Sequence, residues 1–211
     1  MFKKLLTAAL AASILILPVS SAAPSEEAAP APGQAQEDYL PGDVPAQTDA
    51  VESMSPALHG LLLAMLNHGT DRFDFSDSAL TWEGLYTMLS LYGRLDSRCD
   101  EQNGELFLPE ETILDYAAAL AADPEALGEP PAGLRDRLNY DNISHCYLLL
   151  CGEDDLAYIQ VDSLSGERDG LLLTGSLIYE VEEETLARFQ AFLRPQDNMF
   201  GYAVTELSII S

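Results

Sequence analysis

The sequence predicts an α+β fold: three N-terminal helices packed on one face of a five-stranded antiparallel meander sheet. Two observations carry this. Apolar residues recur at helical spacing as far as Leu138 and alternate with polar residues beyond it. The segments between the alternating runs are short, polar and turn-forming, with no room for crossover helices, so neighbouring strands must run antiparallel. Helices first and strands afterwards is the order expected when helices gather on one side of such a sheet.

The chain opens with the features of a secretory leader, residues 1–22. Met1-Phe-Lys-Lys is basic, Leu5 to Val19 is apolar, and Ser20-Ser21-Ala22 supplies the small residues of a cleavage site. The apolar run falls short of the roughly 20 residues a membrane span needs, and no Cys stands near the cleavage site to carry a lipid. The expected location is therefore secreted or cell-surface associated, with no membrane insertion of the mature chain. Residues 23–50 are rich in Pro, Ala and acidic groups, with Tyr39, Leu40 and Val44 as the notable apolar residues. Such a segment buries too little surface to offset its ordering entropy and reads as a disordered linker. Residues 51–211 are enough for a single domain with its own core.

In that domain Ser55-Pro56 suits a helix start and Asn67-His68-Gly69 a stop, with Leu58, Leu61, Leu62, Met65 and Leu66 between them at helical spacing. Thr81 can cap a second helix that carries Trp82, Leu85, Tyr86, Leu89 and Tyr92 on one face and ends at Gly93. The third starts near Glu110, where Glu110 and Glu111 suit the positive end of its dipole, and ends at Asp123-Pro124. The alternating runs predict strands over 143–151, 156–162, 171–179, 185–194 and 199–210. If the first two form a hairpin, Leu150 with Ala157, Leu148 with Ile159 and Cys146 with Val161 face the helices. His145, Tyr147, Tyr158 and Gln160 then lie outside. Tyr147 and Tyr158 become neighbours there and form the candidate binding surface, since aromatic residues anchor interfaces.

Charge narrows the partners. The chain has 35 acidic residues and a net charge of −25; the leader takes the only lysines, Lys3 and Lys4, leaving eight Arg and 8 − 35 = −27. Nucleic acid and anionic lipid are excluded as partners, because both are bound through Lys and Arg. A protein, or a neutral or cationic small ligand, remains. Without Lys the mature chain has no ε-amine for Schiff-base chemistry.

Three cysteines in an exported chain suggest one disulfide. Cys146 and Cys151 on one strand lie about 16 Å apart at the strand rise, beyond the Cα limit near 7 Å. Cys99 must take one of them. Cys146 is preferred because it shares the helix-facing side, and closing that loop would stabilise by roughly 4 kcal/mol.

Recognisable catalytic and metal patterns are missing. His145 adjoins Cys146, but adjacent strand residues point to opposite faces, so no Cys–His pair forms there. His59 and His68 fall on opposite sides of one helix and cannot share a zinc. Around Gly104, residues Glu101, Asn103, Glu105 and Glu110 match positions of a calcium loop. Cys99, however, stands where a hard cation needs oxygen, so the stretch reads instead as an acidic loop with an Asn-Gly turn. No metal or cofactor is expected. Asn142-Ile-Ser144 fits an N-glycan acceptor pattern.

From residue 51 onward, the helical half followed by an antiparallel half resembles small exported proteins of Gram-positive bacteria. Some of these are similar to cystatin-like or NTF2-like ligand-binding folds or to inhibitors of cell-wall endopeptidases. The resemblance lies in the order of elements and assigns no residue a role. It implies a secreted, non-catalytic binding domain; the alternative is a secreted hydrolase using a carboxylate pair or a spatially assembled Ser/His/Asp set.

Overall fold

The computed structural model describes residues 44–123, 127–152 and 156–210. The expected leader, and the linker up to residue 43, lie outside the described residues. The fold is α+β with antiparallel sheets. Among the described residues it differs from the expected five-stranded meander in having eight strands in two four-stranded sheets. Nor do all helices precede the strands, because α3 follows the first two.

Helix α1 spans Val44–His68 and runs straight through the expected start at Ser55-Pro56. It therefore begins inside the segment read as linker. The reason is a continuous apolar stripe: Ala50, Met54, Ala57, Leu58, Leu61, Leu62 and Met65 are all 3% exposed or less. A proline inside a helix removes one backbone bond. Next to it, the Ser55 hydroxyl donates to the Val51 carbonyl at 2.8 Å. Helix α2, Ser78–Tyr92, starts one turn before the expected Thr81, because the Asp77 carboxylate accepts from the amides of Ala79 and Leu80. A single 3-10 turn, Gly93–Leu95, follows it. Helix α3, Glu110–Ala119, begins where expected but ends before Asp123-Pro124.

The first sheet comprises β1 Asp100–Gln102, β2 Glu105–Pro109, β3 Leu138–Asp141 and β4 Cys146–Leu150, in the order β1-β2-β4-β3. Asn103 and Gly104, at φ 57° and 83°, make the tight β1–β2 turn, the left-handed pair a two-residue hairpin needs. The stretch compared with a calcium loop is thus a hairpin. The second sheet is a meander of β5 Ala157–Glu167, β6 Gly170–Tyr179, β7 Glu184–Pro195 and β8 Tyr202–Ile210. Four of the five expected strands form this meander, and the fifth became β4.

The expected β4–β5 hairpin does not form because β4 has no free edge: β2 pairs with one side of it and β3 with the other. Beyond β4 the chain is held against α2, where Tyr86 donates its hydroxyl to the Leu150 carbonyl at 3.1 Å and the Gly152 amide donates to Ser90 Oγ at 2.6 Å. One hydrophobic cluster joins the layers, with Leu61 and Leu85 from the helices, Leu108 and Leu149 from the first sheet, and Leu173, Phe189 and Leu193 from the second. The free side of β8 is covered by residues 71–73, through Phe73 amide to Leu207 carbonyl and Ile209 amide to Asp71 carbonyl; covering an edge prevents unwanted strand pairing. Among the described residues no helix is long and apolar enough to cross a membrane.

Candidate functional site

Tyr147 and Tyr158 are not neighbours: Tyr147 lies on β4 of the first sheet and Tyr158 on β5 of the second. Each lines its own cleft.

The first cleft encloses about 400 Å³ between the β3–β4 hairpin and the loop before β3, within the size range of small-molecule sites. Tyr140 and Tyr147 are direct cross-strand partners, with ring centroids 4.9 Å apart and planes at 60°, an edge-to-face geometry that aromatic pairs favour. The turn between them is built by Asp141, whose carboxylate accepts from the amides of Ile143 and Ser144 and from the Ser144 hydroxyl. Those bonds, the hydroxyl first, hold the Asp141 carboxyl below its ordinary range. They also set Asn142 at the cleft, where Asn139 and Arg135 join it. Arg135 is held in place by donating to the Pro130 carbonyl at 2.9 Å and to Glu129 at 3.1 Å. Burial, followed by the influence of Glu110 and Tyr140, pushes the Tyr147 phenol up, so it keeps its proton and can donate. The cleft offers two aromatic faces beside amide and guanidinium donors.

The second cleft, also about 400 Å³, lies over the outer face of the second sheet and is lined by Tyr158, Gln160, Asp162, Ser176, Glu183 and Arg188, among others. Gln160, Ser176 and Arg188 stand in one cross-strand row.

The cysteine expectation needs correction. Cys99, Cys146 and Cys151 are all free. Cys99 stands just before β1 and Cys146 opens β4, with β2 between those strands. Two strand spacings put them about 10 Å apart, too far for a bond without backbone movement. Burial first, and then Asp96, push the Cys99 thiol up to about 11, so it is a poor nucleophile. Beside it, Arg98 bridges Asp96 and Asp115, both at 2.7 Å, while burial pushes the Tyr116 phenol up to about 12.

These two acids predict an alkaline weakness. Their folded values, about 11 and about 12, exceed the ordinary 9.0 and 10.0. The folded state therefore holds its protons more tightly, and the associated stability is complete below pH 9 and lost as pH rises towards 12. Two units correspond to about 2.7 kcal/mol for well-buried Tyr116 and less for half-buried Cys99. Urea unfolding at pH 8 and pH 11 should show a loss of about 2–4 kcal/mol, part of which disappears in Tyr116→Phe. Equal stability at both pH values would refute it.

The histidines are scattered. His59 is buried, with Nδ1 2.6 Å from the Tyr92 hydroxyl; His68 pairs with Glu83 on the surface; His145 sits 3.4 Å from Tyr140. Among the described residues no group of three His, Cys, Asp or Glu side chains could hold a metal.

Sequence reasoning found Tyr147 and Tyr158 but missed Tyr140, Asn142, Arg135 and Arg188. Tyr140 and Tyr147 stand symmetrically about Asn142-Ile143-Ser144-His145, a spacing that marks a hairpin pair. Arg135 and Arg188 carried no such mark. No protein-family model, no curated protein and no solved structure matches the chain.

Proposed function

We propose that this protein is an exported, non-catalytic binding domain whose ligand sits against Tyr140 and Tyr147. The observation that supports it is the cross-strand aromatic pair lining a cleft with Asn139, Asn142 and Arg135. Aromatic faces cover the C–H faces of a sugar ring, while amides and a guanidinium meet its hydroxyls. The fitting ligand is therefore neutral and polar, such as a short oligosaccharide, which the chain's large negative charge would not repel.

The test is calorimetric titration of the purified protein with a panel of neutral oligosaccharides. Saturable binding is expected, weakened at least about tenfold, or about 1.4 kcal/mol, in Tyr147→Ala. No saturable binding to any of the panel, or binding unchanged by that substitution, would sink the reading.

The hydrolase alternative has one observation in its favour: Asp162 and Glu183 both line the second cleft, beside Tyr158. Both are exposed, whereas a general acid is set up by burial in apolar surroundings. Release of reducing ends during the same titrations would favour the hydrolase.

A further inference from the structure

We propose that the cleft on the outer face of the second sheet is a separate site for a small zwitterion, an amino acid or short peptide carrying both an ammonium and a carboxylate. Its lining holds both complements. Asp162 and Glu183 supply carboxylates and Arg188 a guanidinium, with Tyr158 and Gln160 alongside. The β-bulge between Val161 and Ser163 displaces Asp162 from the regular register, and Glu183, at φ 52°, sits in the β6–β7 turn. The two acids thus stand at separate places, with Arg188 across the sheet from Asp162.

These opposite charges do not consume each other. Arg188 belongs to none of the ion pairs seen among the described residues, which include His68–Glu83, Arg98–Asp96, Arg98–Asp115 and Arg135–Glu129. Ser176 lines the floor of the cleft between Gln160 and Arg188. Arg188 can grip a carboxylate through two parallel bonds, and the net negative charge of the protein favours approach of the ammonium. A purely anionic ligand would be repelled by Asp162 and Glu183, and a purely cationic one would meet Arg188.

Nuclear magnetic resonance titration of the intact protein with dialanine, N-acetyl-dialanine, dialanine amide and free alanine tests this. Dialanine or alanine should shift signals of residues 158–162 and 176–188 saturably. Capping either end should weaken binding about tenfold, the loss expected for one charge-assisted contact. Arg188→Gln should abolish the preference over the amide, and Asp162→Asn with Glu183→Gln the preference over the acetylated form. These residues are exposed, so folding is not at stake. If alanine binds as well as dialanine, the site takes free amino acids; if only dialanine binds, it takes peptides. Capped probes binding equally well, or no shift with any probe at ten millimolar, would overturn the proposal.

Discussion

Gly60→Ala is expected to lower stability by about 2 kcal/mol, although the same change on an open helix face would raise it by about 1 kcal/mol through propensity alone. Gly60 and Gly84 mark where α1 meets α2. A Cβ on Gly60 would lie 2.6 Å from the Gly84 carbonyl oxygen and 3.0 Å from both the amide nitrogen and Cβ of Met88. Two of those three neighbours are backbone and cannot rotate aside, so the helices themselves must part. Leu61, Leu62, Leu85 and Met88 around the contact are all 0% exposed, and parting the helices would loosen them together. Overpacking therefore outweighs propensity. The reciprocal change is the control: a Cβ on Gly84 would meet Leu61 Cδ2 at 2.9 Å, with the Leu61 Cα at 3.6 Å. A side-chain terminus can turn away, so Gly84→Ala should be markedly milder. Urea unfolding of both variants checks the ordering. Gly60→Ala proving as stable as the parent would mean the helices do not meet there.

Phe189→Ala is expected to remove about 4 kcal/mol, in the range for losing a fully buried phenylalanine. Among the described residues Phe189 is the bulkiest side chain that is fully buried, and it pairs across the sheet with Gly175. A Cβ on Gly175 would stand 2.9 Å from the Phe189 ring and 2.5 Å from the Gln160 carbonyl oxygen. The ring therefore covers a gap that the glycine leaves, as aromatic residues do for strand glycines. Gly175→Ala alone should also destabilise, because the methyl group strikes both neighbours. With the ring gone only the Gln160 contact remains, so the double variant should lose about 1 kcal/mol less than the two single losses together. Additive losses would show that the two positions are independent.

These two contacts also show what could be read in advance. Asn103-Gly104 is a strong hairpin mark, and the flanking Leu106 and Leu108 alternate with polar or half-buried positions. Read as an acidic loop around that turn, the stretch shows neither β1 nor β2, because each strand is at most five residues long. The stripe from Ala50 to Met65 is equally legible, but Pro56 after Ser55 reads as a helix start, whereas the helix tolerates it as an interruption. Leu138–Asp141 is only four residues long, too short for alternation to stand out. The aromatic pair Tyr140–Tyr147 could have been found from its symmetry about a turn, whereas the company of Arg135 or Arg188 could not.

By itself, the sequence determined the α+β class, the antiparallel pairing, the start of α3 and the meander from β5 to β8. Each of these depends on local periodicity and on short turn-forming separators, which act within a few residues. Tertiary structure alone decided that the strands divide into two sheets and that Tyr147 and Tyr158 line different clefts. It also kept Cys99 and Cys146 a strand apart. Alternation records which face of a strand is buried but not which strand lies beside it. That choice was made at long range, where β2, some forty residues upstream, takes one edge of β4 while β3 takes the other, leaving none for β5.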